Sequence, residues 1–222
     1  LKPRITLPPF MHKMQEMMGG GIIQGRIANI IADTSVGKST FVNRMVYHWI
    51  FHSPEVPTII SLEATAGQYM LEMLTIHLQK NLRWVMTDVE IIEYLKSEDG
   101  QRLKEELCFK EDGSPRFYLI DDRTGDIKDT EKQVEKLFKQ YGSKMFVFDV
   151  LTNLLEGSSE QHIDDHMHFQ RNMVKHGITF CNVLHTRKPP NSADGKPRKV
   201  TEYDAKNSGT FVQSAAYNIV MN

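Results

Sequence analysis

Ala32-Asp33-Thr34-Ser35-Val36-Gly37-Lys38-Ser39 matches the phosphate-loop pattern GxxxxGK[ST] at every fixed position but the first, where alanine replaces glycine. Upstream, Ile22 to Ala32 is rich in β-branched and apolar residues and predicts a buried strand. Downstream, Phe41, Met45 and Trp49 recur at helical spacing and predict a helix from Lys38 to Phe51. A loop between a strand and a helix start is where backbone N–H groups and the positive helix end can wrap a phosphate. The nucleotide-contacting residues expected are therefore Asp33, Thr34, Ser35, Val36, Gly37, Lys38, Ser39 and Thr40. Lys38 has the reach and charge for the β- and γ-phosphates, and the Ser39 hydroxyl can coordinate Mg²⁺. The glycines from Gly19 to Gly25 are no dinucleotide fingerprint. They lack the GxGxxG order and precede the strand instead of following it.

Working outward, further strands are predicted at Pro57 to Leu62, Phe117 to Ile120, Lys144 to Leu151, Gly177 to Leu184 and Ala215 to Met221. Helical spacing covers Met11 to Met18, Ala66 to Leu78, the charged stretch 82–113, Thr130 to Tyr141 and Gln161 to Lys175. The segment Thr186 to Lys199, rich in Pro, Gly and basic residues, reads as irregular. Strands alternating with helices imply an α/β fold, a mainly parallel sheet with helices on both faces. Ligands of such sheets sit beyond the carboxyl ends of the strands, which directs attention to the loops after residues 32, 62, 149 and 184.

Three side chains stand at those ends. Asp149 closes the apolar run Lys144-Met145-Phe146-Val147-Phe148, where it can complete a Mg²⁺ shell opposite Ser39. Asp121 and Asp122 close the third strand and compete for that role. Glu63, in Ser61-Leu62-Glu63, can deprotonate a water attacking the γ-phosphate, although an acid there is also ordinary helix-start chemistry. His185 can donate a ring N–H to the γ-phosphate, or can serve structurally.

Composition sets outer bounds. The 222 residues carry a formal charge of -1, so nucleic-acid binding would need a local patch. Cys108 and Cys181 are far apart and form no CxxC pair, which argues against a zinc module or disulfide scaffold and fits a reducing compartment. No apolar run approaches the roughly 20 residues of a bilayer span. His162 and His166 are four apart on a predicted helix, but Ile163 stands where a zinc-protease motif requires glutamate. The chain starts at Leu1 and stops at Asn222 just past an apolar stretch, which reads as a fragment of a longer protein.

Taken together the sequence resembles the DnaB/RecA-type hexameric helicases, with the nearest likeness in the phage primase-helicase and Twinkle branch. The likeness runs through Met17-Met18-Gly19-Gly20-Gly21-Ile22-Ile23-Gln24-Gly25, the phosphate loop, and Ser61-Leu62-Glu63 with Gln68. It continues through Phe148-Asp149, Leu184-His185-Thr186-Arg187-Lys188-Pro189 and Lys206-Asn207-Ser208-Gly209. It implies one RecA-like ATPase domain over residues 1–222, with 1–18 as an entry segment. ATP or another NTP and Mg²⁺ would be the cofactors, held by Lys38, Ser39 and Asp149, with Glu63 as catalytic base and His185 as γ-phosphate sensor. It further implies a ring, a hexamer in the full-length protein, around single-stranded DNA, and a cytoplasmic or mitochondrial-matrix setting.

Arg187, Lys188, Lys196, Arg198 and Lys199 concentrate positive charge in a loop that Pro189, Pro190 and Gly195 keep extended. Such runs are usually solvated surface; the resemblance turns them, with Lys206 and Asn207, into expected DNA contacts that track the backbone. The departures are Ala32, Lys206-Asn207 in place of a frequent arginine-glycine, and an arginine finger that lies outside this chain. A RecA- or KaiC-like protein that uses ATP to switch assembly shares the same expected fold and is the rival reading.

Overall fold

The computed structural model describes residues 2–32, 38–123, 125–186, 199–204 and 208–221. Six strands form one sheet: β1 (Ile27–Ala32), β2 (Pro57–Ser61), β3 (Tyr118–Asp121), β4 (Met145–Asp149), β5 (Thr179–His185) and β6 (Tyr217–Met221). Their order is β3-β2-β4-β5-β1-β6, and every pairing among them is parallel. The α/β architecture with a parallel sheet is as the sequence implies. Sheets of this kind are covered on both faces, so their strands read as near-continuous apolar runs, as β1, β2 and β4 do.

The helices are α1 (His12–Met17), α2 (Lys38–His52), α3 (Ala66–Leu78), α4 (Leu82–Val85), α5 (Asp88–Lys96), α6 (Glu98–Cys108), α7 (Ile127–Tyr141), α8 (Leu151–Leu154), α9 (Glu160–Val174) and α10 (Ser208–Ser214). One face of the sheet packs Ile30, Ile59, Val147, Cys181 and Val183 against Met45, Val46 and Trp49 of α2, Met73 of α3 and Leu107 of α6. The other packs Ile31, Phe146, Phe148, Phe180 and Leu184 against Val134 of α7, Ile163 and Met167 of α9 and Phe211 of α10. Alternate strand residues feed the two layers because successive side chains point to opposite faces.

Several boundaries differ from the sequence reading. The first strand begins at Ile27, because Gly25 sits at φ +72° and turns the chain before the ladder starts. Ile22 instead forms an antiparallel bridge with Ile5, its N–H and carbonyl both paired at 2.9 Å, which ties the entry segment to the body. The glycine at 21 is required there, since a Cβ would run into the Ile5 carbonyl. The charged stretch 82–113 breaks into three helices because Thr87 and Ser97 cap new starts within it. The strand expected to reach Leu151 stops at Asp149 and passes into α8, and α10 stands where no helix was expected. Both are too short to leave a periodic signal.

Candidate nucleotide site at the strand tips

The register of the sheet decides which side chains can meet. Ser61 and Asp149 are partners on the last rung between β2 and β4, and the Leu62 N–H donates to the Asp149 carbonyl at 2.8 Å. Ala32 and His185 are partners at the end of the β1–β5 ladder, and the Thr186 N–H continues it by donating to the Ala32 carbonyl at 3.2 Å. The tips of β2, β4, β5 and β1 therefore lie side by side at one edge.

A cleft of about 380 Å³ opens at this edge, and Thr40, Glu63, Asp149 and His185 all line it. Thr40 lies in the first turn of α2, two residues past Lys38. Residues 33–37 lie outside the described part of the chain, as do the side chains of Lys38 and Ser39. Of the expected nucleic-acid contacts only Lys199, which is exposed, is described; Arg187, Lys188, Lys196, Arg198, Lys206 and Asn207 are not.

Local hydrogen bonds hold the loop that carries Glu63. The Ser61 hydroxyl donates to the Ala64 carbonyl at 2.6 Å. Thr65 caps α3 reciprocally with Gln68, its hydroxyl accepting the Gln68 N–H at 3.1 Å while the Gln68 side-chain oxygen accepts the Thr65 N–H at 3.0 Å. Asp121 accepts the Ala66 N–H at 3.2 Å and pairs with Arg123 at 2.7 Å. Asp122 accepts the Thr130 hydroxyl at 2.7 Å on the α7 side. These partners engage the two rival acids away from the cleft, whose lining includes Asp149 and neither of them. On the other flank the His185 N–H donates to the Thr152 hydroxyl at 3.1 Å, so α8 braces the end of β5.

The electrostatics centre on Asp149. Burial pushes its carboxyl up to about 6; the nearby Tyr69 hydroxyl works against that rise and the Glu63 charge adds to it. Tyr69 is itself buried, which with the Asp149 charge raises its phenol well above the ordinary value. Its hydroxyl stands within electrostatic reach of Asp149 yet makes no hydrogen bond of good geometry. Two acids and an unsatisfied hydroxyl at one cleft make a site short of positive charge. That donor set fits a hard divalent cation with oxygen ligands.

Sequence reasoning missed four lining residues: Asn43, Tyr69, Glu72 and Arg83. Asn43 follows Thr40 by three along α2, and Tyr69 and Glu72 follow Gln68 on α3, so helical spacing from the recognised residues could have found them. Arg83 of α4, 3.7 Å from Glu72, carries no such signal.

No family model and no curated protein matches this sequence. Solved structures do. The ATPase domain of a DnaB-type helicase superposes with a TM-score of 0.71 at 15% identity, covering 100% of this chain and 78% of that one. A KaiC-like protein from the hyperthermophilic archaeon Pyrococcus horikoshii OT3 superposes with a TM-score of 0.58 at 18% identity, covering 98% of this chain and 78% of that one. At these identities the likeness is one of fold: the chain has the RecA-like α/β fold of DnaB/RecA-type ATPase domains.

Proposed function

We propose that this chain is an NTP-hydrolysing motor domain that drives translocation on single-stranded DNA, as part of a ring-shaped replicative helicase. The observation that carries the reading is the convergence of Thr40, Glu63, Asp149 and His185 on one cleft, at the start of the helix that opens with Lys38-Ser39. Lys38 would neutralise the β- and γ-phosphates, and Ser39 and Asp149 would hold Mg²⁺. The cation, when bound, offsets negative charge developing on the phosphate oxygens. Glu63, exposed at the rim, would accept the proton of the attacking water, and His185 would donate a ring hydrogen bond to the terminal phosphate.

The basic residues Arg187, Lys188, Lys196, Arg198 and Lys199, with Lys206 and Asn207, would contact DNA phosphates. An arginine from a neighbouring subunit would complete the charge stabilisation, so this chain alone should bind nucleotide and turn it over weakly. The test is unwinding of a forked duplex by the full-length protein, with and without Mg²⁺-ATP. ATP-dependent unwinding supports the motor. The superposition on a KaiC-like protein favours a second reading, in which ATP switches assembly; ATP-dependent oligomers or filaments without unwinding would select it.

A further inference from the structure

A row of amides crosses the sheet one layer beneath the strand tips. Asn218 of β6, Asn29 of β1 and Asn182 of β5 are register partners on three adjacent strands, each three residues before the last pair or the end of its ladder on the cleft side. Asn29 and Asn182 are fully buried on the face covered by α9 and α10. The Asn29 amide donates to Asn218 Oδ1 at 2.9 Å, and Asn182 donates to Asn29 Oδ1 at 3.4 Å. Asn182 and Gln170 of α9 exchange hydrogen bonds at 2.9 and 3.1 Å. Gln170 lies 3.1 Å from His166 Nε2, and His166 Nδ1 lies 3.0 Å from Glu131 of α7. Burial works to raise Glu131, but the bonds from His166 and Lys128 outweigh it and hold its carboxyl below the usual value.

The far end of the row closes α10. The last four carbonyls of a helix lack intrahelical partners. Among them, the Phe211 carbonyl accepts the Asn29 amide at 2.9 Å and the Val212 carbonyl accepts the Asn218 amide at 3.3 Å. An apolar core would stabilise the sheet as well as these amides do, since each must be satisfied to avoid a desolvation penalty. What amides add is a directional link between β1, which leads to the phosphate loop, β5, which carries His185, and α10.

We propose that the Asn218–Asn29–Asn182–Gln170 row is a positioning device that transmits the state of the nucleotide cleft to α10, and so to the nucleic-acid contacts that the sequence assigns immediately before it. The transmission part rests on the function proposed above; the mechanical link does not. Asn182 touches no atom of α10 in the bonds above, so an effect on α10 must pass through Asn29.

The test is amide hydrogen exchange in Asn182→Leu and, should that variant fold poorly, in Gln170→Met, with α3 on the opposite face as the internal control. Exchange in α10 should accelerate roughly five- to tenfold while α3 is unchanged. Unchanged α10 protection in a folded variant overturns the proposal. In parallel, the affinity for a fluorescent single-stranded oligonucleotide is measured with and without a non-hydrolysable ATP analogue. The wild type should show a ratio of about fivefold or more, and the variant a ratio near one with analogue affinity preserved. An undiminished ratio in the variant also overturns it. Faster α10 exchange in a chain whose wild type binds neither ligand leaves the link standing and removes the proposed function instead.

Discussion

Asp149 and Tyr69 face one another across the floor of the cleft, a carboxyl and a phenol that burial drives toward their neutral forms. The strand register puts Asp149 there, on the rung beside Ser61, two residues from Glu63. The protein thus keeps an acid where the folded chain alone disfavours its charge, as expected of a group reserved for a ligand.

That arrangement predicts a stability cost with a definite pH dependence. The folded value of about 6 lies above the ordinary 3.8. The proton's stabilising contribution is therefore complete below the ordinary value and lost as pH rises through about 6. At about pH 7.5 ionised Asp149 should cost the nucleotide-free protein roughly 2–3 kcal/mol. Asp149→Asn should then raise the Tm by several degrees at about pH 7.5, and by almost nothing near pH 4. Equal melting temperatures at the higher pH would show that the carboxyl is not desolvated.

Glu63→Gln separates binding from chemistry. The amide keeps the size and loses the base, so turnover should fall by about 10²-fold or more while nucleotide affinity changes little. Titration with a fluorescent nucleotide and a phosphate-release assay measure the two. Retained turnover would remove Glu63 from the base role.

Thr65→Ala removes one half of the cap that fixes the start of α3 behind Glu63. The expected cost is about 1 kcal/mol, read as a Tm lower by a few degrees. A loss confined to activity, with the Tm unchanged, would mean the cap positions the loop without stabilising the fold.

The two tryptophans should respond oppositely. Trp49 is 1% exposed and donates its indole N–H to the Thr6 carbonyl at 2.9 Å, whereas Trp84 is 86% exposed. Trp49→Phe leaves that carbonyl without its donor and should cost about 1–3 kcal/mol, with faster proteolysis in residues 1–18. Trp84→Phe should stay within about 0.5 kcal/mol in chemical denaturation. Comparable losses in both would contradict the packing of the entry segment.

Much of this was legible in advance. The parallel sheet followed from apolar runs alternating with helical spacing, and Ala66–Leu78 was bounded correctly because Thr65 and Gln68 are a capping pair visible in sequence. Asp149, Glu63 and His185 could be nominated because parallel strands expose their carboxyl ends at one edge. The asparagine row could not, because Asn29, Asn182 and Asn218 are isolated polar residues until register aligns them.

The sequence by itself determined the strands, the main helices and the loop that opens α2, because period and caps are local properties of the chain. Tertiary structure alone decided the strand order, hence which tips are neighbours. It set the burial that pushes Asp149 up and chose that acid over Asp121 and Asp122 for the cleft. Those outcomes depend on contacts between residues tens to hundreds of positions apart, and no local pattern encodes such distances.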